Sequence, residues 1–252
     1  MSRRLFETCR RVAGSVISRA PIVLRTAIVD AALWQLEERA YSRLRDGGFR
    51  PGGIIDIGAN CGDWTKHCAD IFPDAQFFMI EARSEMEPIL KQVSMDNSNV
   101  RYVVALLGPQ ERNGVEFYVQ GSGSSIYHER SDIEHSRTRL SMTTLDRVLP
   151  ESLCAPLFLK LDVQGAELDI LRGASVTMEK AEVVQLEVPL LAYNEGAPTS
   201  SEVVSFMDQR GFAIFDISGF IRPFGMELVQ IDILFVRKIS HLRPTSFQFR
   251  KP

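Results

Sequence analysis

The chain is poor in the residues that build crosslinked or metal-stapled folds. Its four cysteines (Cys9, Cys61, Cys68 and Cys154) form no CxxC pair, and its four histidines (His67, His128, His135 and His241) show no HxxxH spacing. A zinc module or a disulfide framework is therefore excluded as the organising device. A chain of 252 residues needs neither, because folding at this size buries roughly three quarters of its surface. No apolar run approaches the ~20 residues of a membrane-spanning helix, and arginines interrupt the N-terminal apolar pattern too often for a signal-peptide core. A net charge of -3 also excludes a surface built throughout to attract nucleic acid. What remains is a cytoplasmic protein working on a small molecule.

Charge is nevertheless unevenly spread. The first 28 residues carry six arginines (Arg3, Arg4, Arg10, Arg11, Arg19 and Arg25) against Glu7 alone, with apolar residues recurring as Leu5, Phe6, Cys9, Val12, Ala13, Val16 and Ile17. That spacing predicts a basic amphipathic helix. Such a helix packs on the domain behind it, lies peripherally on an anionic membrane, or serves as an organellar presequence. A second helical pattern runs from residue 21 to 45 and stops at Asp46-Gly47-Gly48, a C-cap and turn signal. The expected organisation is a helical extension over 1–48, a main domain over 49–240 and a tail over 241–252.

From Pro51 onward, short apolar runs alternate with helical segments, the pattern of an α/β domain. Strands are predicted at 53–57, 76–81, 100–106, 157–162, 183–188, 213–217 and 228–236, and helices at 64–71, 85–93, 167–171 and 201–210. Segments 114–120 and 141–146 read as a small β excursion. The glycine/serine stretch 121–125 reads as a mobile loop.

The first strand runs directly into Gly58-Ala59-Asn60-Cys61-Gly62 and then a helix. Glycines there let a ligand lie against the backbone, close to unpaired helix N–H groups. Asn60 stands where GxGxxG needs its second glycine, so a dinucleotide is disfavoured. The second strand ends in Glu81, a carboxylate able to accept both ribose hydroxyls of a nucleoside.

These residues resemble motif I and the acidic second-strand motif of class I S-adenosylmethionine-dependent methyltransferases. The run Asp162-Val163-Gln164-Gly165-Ala166-Glu167, preceded by Thr144-Leu145-Asp146 and followed by Glu187 at a strand end, resembles the hallmark of the FkbM family over residues 51–238. The resemblance implies a Rossmann-like, seven-stranded, mostly parallel sheet of order 3-2-1-4-5-7-6 with the last strand antiparallel. It implies S-adenosylmethionine as donor, held by Asp56, Gly58, Asn60, Gly62, Glu81 and Ala82. It also implies O-methylation of a sugar, glycan or natural-product hydroxyl.

An oxygen acceptor is favoured on the residues too, because the Asn/Asp-Pro-Pro-aromatic motif of base and amide methylation and the Pro-Cys of cytosine C5 methylation are both missing. Hydroxyl activation calls for a base or a metal. Asp162 and Glu187 are the candidates for base or for Mg2+ ligands, with His128 third. Asp162 can instead cap the helix after Gly165, Glu187 can be a plain loop acid, and Asp146 reads as a turn cap. Two rivals remain. One is an NAD(P)-dependent oxidoreductase with Glu81 or Arg83 on the ribose, weakened because none of the five tyrosines is followed four residues on by lysine. The other is a catalytically silent, membrane-associated binding module.

Overall fold

The computed structural model describes residues 35–130, 134–222 and 227–243. The basic helix expected over 1–28 and most of the 241–252 tail lie outside these residues. Among the described residues, no helix is long and apolar enough to cross a membrane.

Residues 35–46 form helix α1. The main domain then runs β1 (Gly53–Ile57), α2 (Asp63–Ile71), β2 (Gln76–Glu81), α3 (Glu87–Asp96), β3 (Val100–Val104), β4 (Leu106–Leu107), β5 (Arg112–Val119) and β6 (Ser136–Thr143). It continues with α4 (Leu145–Val148), β7 (Leu157–Leu161), α5 (Glu167–Arg172), α6 (Ser175–Lys180), β8 (Ala181–Pro189), α7 (Ser200–Gln209), β9 (Phe212–Ile221) and β10 (Gln230–Arg237). Seven strands make one sheet, ordered β3-β2-β1-β7-β8-β10-β9, with β10 antiparallel to both its neighbours. Counted along the main sheet alone, that is the predicted 3-2-1-4-5-7-6. The excursion is a second sheet of order β4-β6-β5. Its β6 begins at Ser136, earlier than the pattern suggested, and helix α6 went unpredicted.

The central strands read as near-continuous apolar runs because both faces are covered. One face packs Ile55, Ile57, Leu159, Leu161, Val184 and Leu186 against α5, α6 and α7. The other packs Ile54, Phe77, Phe158, Val183 and Leu234 beneath α1 and α2. Ala40, Tyr41, Leu44 and Phe49 are buried in that second cluster, so α1, in the part of the chain expected as a helical extension, packs into the core. The Tyr41 hydroxyl makes 2.6 Å hydrogen bonds with Gln185 Oε1 in β8 and Glu37 Oε1 in α1, and accepts one from Trp64 Nε1 at 2.8 Å.

Candidate active site

At the carboxyl ends of β1, β2 and β7 the strands stop and a cleft of about 390 Å3 opens. Its apolar wall is Ile80, Leu106, Leu107, Phe117 and Ile170, and its polar groups include Asn60, Glu81, Arg83, Asp162, Gln164, Glu187 and Gln230. This is the place where an open α/β sheet takes its ligands.

The β1–α2 turn is shaped by left-handed backbone at Gly58 (φ 81°), Asn60 (φ 48°) and Gly62 (φ 76°). Gly58 has no alternative, since a Cβ there would run into the carbonyl oxygen of Asp162. The constraint comes from the neighbouring strand end, not from ligand space. Gly62 faces Met79 and Val93 and does not line the cleft. Gly58, Asn60, Glu81 and Ala82 do line it.

Asp56 is fully buried and lies outside the cleft lining. Its Oδ2 accepts from Thr65 Oγ1 at 2.8 Å, and its Oδ1 meets Lys160 Nζ at 3.4 Å. Burial raises the Asp56 pKa, with Lys160 opposing. The expectation that Asp56 holds a ligand is corrected on this geometry: it is the buried counter-ion of Lys160. Burial disfavours the ammonium of Lys160, but Asp162 and Asp56 outweigh that and raise its pKa.

At the opposite end of the cleft from Glu81, the Gln164 amide spans two carboxylates. Its Nε2 donates to Asp162 Oδ1 at 3.2 Å and to Glu187 Oε2 at 2.8 Å. The Tyr193 hydroxyl lies 3.0 Å from both Glu187 Oε1 and Gln230 Oε1. Burial would raise Asp162, but the Lys160 charge and hydrogen bonds from Glu187, Lys160 and Gln164 prevail and hold it at about 2. Glu187 is pushed far up by its own burial and then by the Asp162 charge. The two carboxyl groups are thus pushed apart, Asp162 toward the charged form and Glu187 toward the protonated one.

The turn bearing Gln164 is braced from several sides. Gln164 itself is left-handed (φ 55°), and the buried Glu167 carboxylate accepts from Val163 N at 3.0 Å and Gly165 N at 3.2 Å. Glu167, and not Asp162, caps this turn. Burial raises Glu167 to about 7 against those N–H groups. The Gln164 carbonyl accepts from Ser125 Oγ at 2.9 Å and Asn194 Nδ2 at 2.9 Å. Segment 121–125, read from the sequence as mobile, is therefore fastened at Ser125, which is buried.

Behind the pair lies a chamber of about 190 Å3 lined by Glu37, Trp64, Lys160, Gln185 and Asp232 as well as Asp162 and Glu187. Asp232 pairs with Glu187 across β8 and β10. Burial, then the charges of Asp162 and Glu37, raises it to about 7.

Other expected residues fall elsewhere. His128 does not line the cleft: its ring packs edge-on against Tyr118 and His135, centroids 5.3 and 4.9 Å away. Asp146 caps α6, accepting from Val176 N, Thr177 N and Thr177 Oγ1 at 2.7–2.9 Å. Among the described residues, no group of three or more His, Cys, Asp or Glu is arranged to hold a metal ion. The Gln164 amide also stands where an ion bridging Asp162 and Glu187 would bind, so the residues present do not fit Mg2+.

Sequence reasoning left Lys160, Gln164, Tyr193 and Gln230 without roles. A signal existed for one of them: a lysine inside the buried run Leu157-Phe158-Leu159-Lys160-Leu161 requires a partner.

No curated protein sequence matches the chain. Among solved structures, the methyltransferase FkbM of Methylobacillus flagellatus KT is 16% identical, with 76% of this chain and 47% of that one covered and a TM-score of 0.46. This chain thus spans about half that protein's length. The precorrin-6y C5,15-methyltransferase of Geobacter metallireducens GS-15 is 15% identical, covering 80% and 87% at a TM-score of 0.45. The magnesium protoporphyrin IX methyltransferase of Synechocystis PCC 6803 is 12% identical, covering 86% and 85% at 0.47. The family model described as the methyltransferase FkbM domain matches residues 56–214. That match begins in β1, ends in β9 and takes in the ends of β1, β2 and β7 at which the cleft opens; the chain belongs to the FkbM family of methyltransferases.

Proposed function

We propose that the protein transfers a methyl group from S-adenosylmethionine to a hydroxyl of a sugar, glycan or natural-product acceptor. The observation that carries this reading is the distribution of chemistry along one cleft. An oriented carboxylate, Glu81, stands beside the glycine turn, and a second, hydrogen-bonded carboxylate pair stands at the far end.

The cleft fits the donor. Its volume lies within the range of about 300–1,000 Å3 usual for small-molecule sites. Ile80, Leu106, Leu107 and Phe117 offer an apolar slot for a base, Glu81 offers an acceptor for a ribose hydroxyl, and the acids suit a cation. When bound, S-adenosylmethionine supplies an electrophilic methyl group. The protein's part is then to aim the hydroxyl and take its proton. Asp162, ionised, accepts the hydroxyl's hydrogen bond and sets the in-line approach. A carboxylate held near 2 is a weak base. It suffices because the oxygen becomes strongly acidic only as it gains the methyl group, so proton transfer is late. Gln164 keeps Asp162 and Glu187 at fixed separation, and the raised pKa of Glu187 favours its neutral form beside the Asp162 charge.

The test is transfer of labelled methyl from S-adenosylmethionine to crude glycolipid, polysaccharide and small-molecule panels, with alkali-stable label identifying an ether. Glu81→Ala should weaken S-adenosylhomocysteine binding about thirty-fold, the loss of one charged hydrogen bond of about 2 kcal/mol. Unchanged affinity would overturn the donor placement. Label found only on nitrogen or carbon would overturn the choice of acceptor.

A further inference from the structure

A carboxylate meant to take two ribose hydroxyls needs an open acceptor position on each oxygen. Glu81 does not have that. Its Oε1 accepts from the backbone N of Arg83 at 3.0 Å and from Arg83 Nε at 3.2 Å, while its Oε2 accepts from Asn60 N at 2.8 Å. A carboxylate offers about four lone-pair sites, two on each oxygen. Oε1 is full, and one position remains, on Oε2. Arg83 is also anchored on its other side, with Nη2 donating to Asn60 Oδ1 at 2.6 Å. The two charged side chains are only 8% and 7% exposed, yet both line the cleft. Arg83 therefore ties together the two elements that bracket the nucleoside end: the β1–α2 turn through Asn60, and the end of β2 through Glu81.

We propose that Arg83 is a positioning residue that saturates Glu81 Oε1 and leaves Oε2 as the single charged acceptor for the donor's ribose, so that one ribose hydroxyl is read by charge and the other is not. The inference rests on the placement of the nucleoside proposed above and adds which part of it the protein discriminates. Arginine suits the task because its planar fork fixes the carboxylate in one orientation and never gives up its charge. Lysine would hold the same oxygen with a looser grip.

The experiment is calorimetric binding of S-adenosylhomocysteine and of its 2′-deoxy and 3′-deoxy analogues to the wild-type protein, R83K, R83M and E81Q. In the wild type, removing one hydroxyl should weaken binding about thirty-fold and removing the other only about threefold. In R83M, Oε1 opens to the second hydroxyl and the two analogues should become equivalent. R83K should keep most of the wild-type preference. Equal losses for both analogues in the wild type would overturn the proposal. So would an R83M variant that weakens all three ligands by one common factor, which is what a purely structural role predicts. Should R83M fail to fold, the wild-type and R83K ratios decide the matter. If E81Q binds all three compounds as the wild type does, the nucleoside lies elsewhere and both this inference and the placement beneath it fall. If E81Q weakens S-adenosylhomocysteine but no analogue preference exists, only the role given to Arg83 fails.

Discussion

Glu187→Gln should stabilise the protein near neutral pH and flatten its pH dependence. Glu187 is only 3% exposed and holds its proton far above the usual glutamate range, through burial and then the Asp162 charge. An unfolded chain releases that proton near pH 4.3. Between about 4.3 and the raised native value, the folded state binds one more proton than the unfolded state, so stability falls as pH rises, by about 1.4 kcal/mol per unit. Below 4.3 both states are protonated and the effect vanishes. Glutamine imitates the protonated acid: its amide can donate toward Asp162 while its oxygen still accepts from Tyr193 or Gln164. The variant should therefore gain on the wild type as pH increases through that interval, by about 1.4 kcal/mol per unit. For a chain of this size each unit corresponds to a relative rise in Tm of about 3–6 °C. Glu167 and Asp232, both near 7, and the ion pairs of Lys160 with Asp56 and Asp162 are present in both proteins. The difference between the two curves, from urea titrations at several pH values, thus isolates Glu187. Parallel curves from pH 5 to 8 would refute the reasoning, and would mean that Glu187 is ionised and itself free to act as the base.

Asp162→Asn should lower kcat about 10²-fold or more with S-adenosylhomocysteine binding nearly intact, whereas Glu187→Gln should lose much less, because it preserves the protonated form; equal losses in labelled-methyl assays would reverse the assignment. Chelation with EDTA should leave turnover unchanged, and recovery with Mg2+ after a loss would contradict the reading of the Gln164 bridge. Gly58→Ala should destabilise by at least about 2 kcal/mol in urea titrations, because it adds both a left-handed alanine and a collision with the Asp162 carbonyl. Asp146→Ala should lower stability by about 1–2 kcal/mol, as a lost helix cap does, with donor affinity unmoved; a loss of donor affinity at constant stability would place Asp146 in the site instead.

The strand positions and the placing of Glu81, Asp162 and Glu187 on the cleft were legible because each depends on local pattern, namely apolar runs, a glycine turn and an acid closing a strand, whereas the strand order came with the family resemblance of the Asp162–Glu167 run. What could not be read is what depends on contacts between distant segments. Gly58 was expected to make room for a ligand, but the group it avoids is Asp162, 104 residues later. Asp56 follows an apolar run into the glycine turn as a ligand-holding acid would, yet Lys160 on the neighbouring strand claims it. His128 lay in the right loop, but that loop turns the imidazole toward Tyr118 and His135. The same tertiary ties fasten Ser125 to the Gln164 turn, where composition alone suggested mobility.

Sheet register explains how one face can serve both the core and the cleft. Side chains two residues apart on a strand share a face, so positions 54 and 56 of β1 lie in rows with 158 and 160 of β7 and with 183 and 185 of β8, and one step on, just past the ends of β1 and β7, come 58 and 162 beside 187 of β8. The first row is Ile54, Phe158 and Val183, all buried beneath α1 and α2. The second holds Asp56, Lys160 and Gln185: one ion pair, and one amide bonded to Tyr41 of α1. The third, at the strand ends, brings Gly58, Asp162 and Glu187 together, with Asp232 opposite Glu187 on β10. Apolar packing thus gives way to paired charge and then to acids held by a single lysine. Like acids facing each other across strands are unfavourable, and the pKa values of Glu187 and Asp232 are accordingly raised by burial and by the Asp162 charge. Such a row would be unaffordable mid-sheet. At the strand ends it opens on one side to the cleft and on the other to the chamber behind, where a carboxylate can remain charged and meet a hydroxyl.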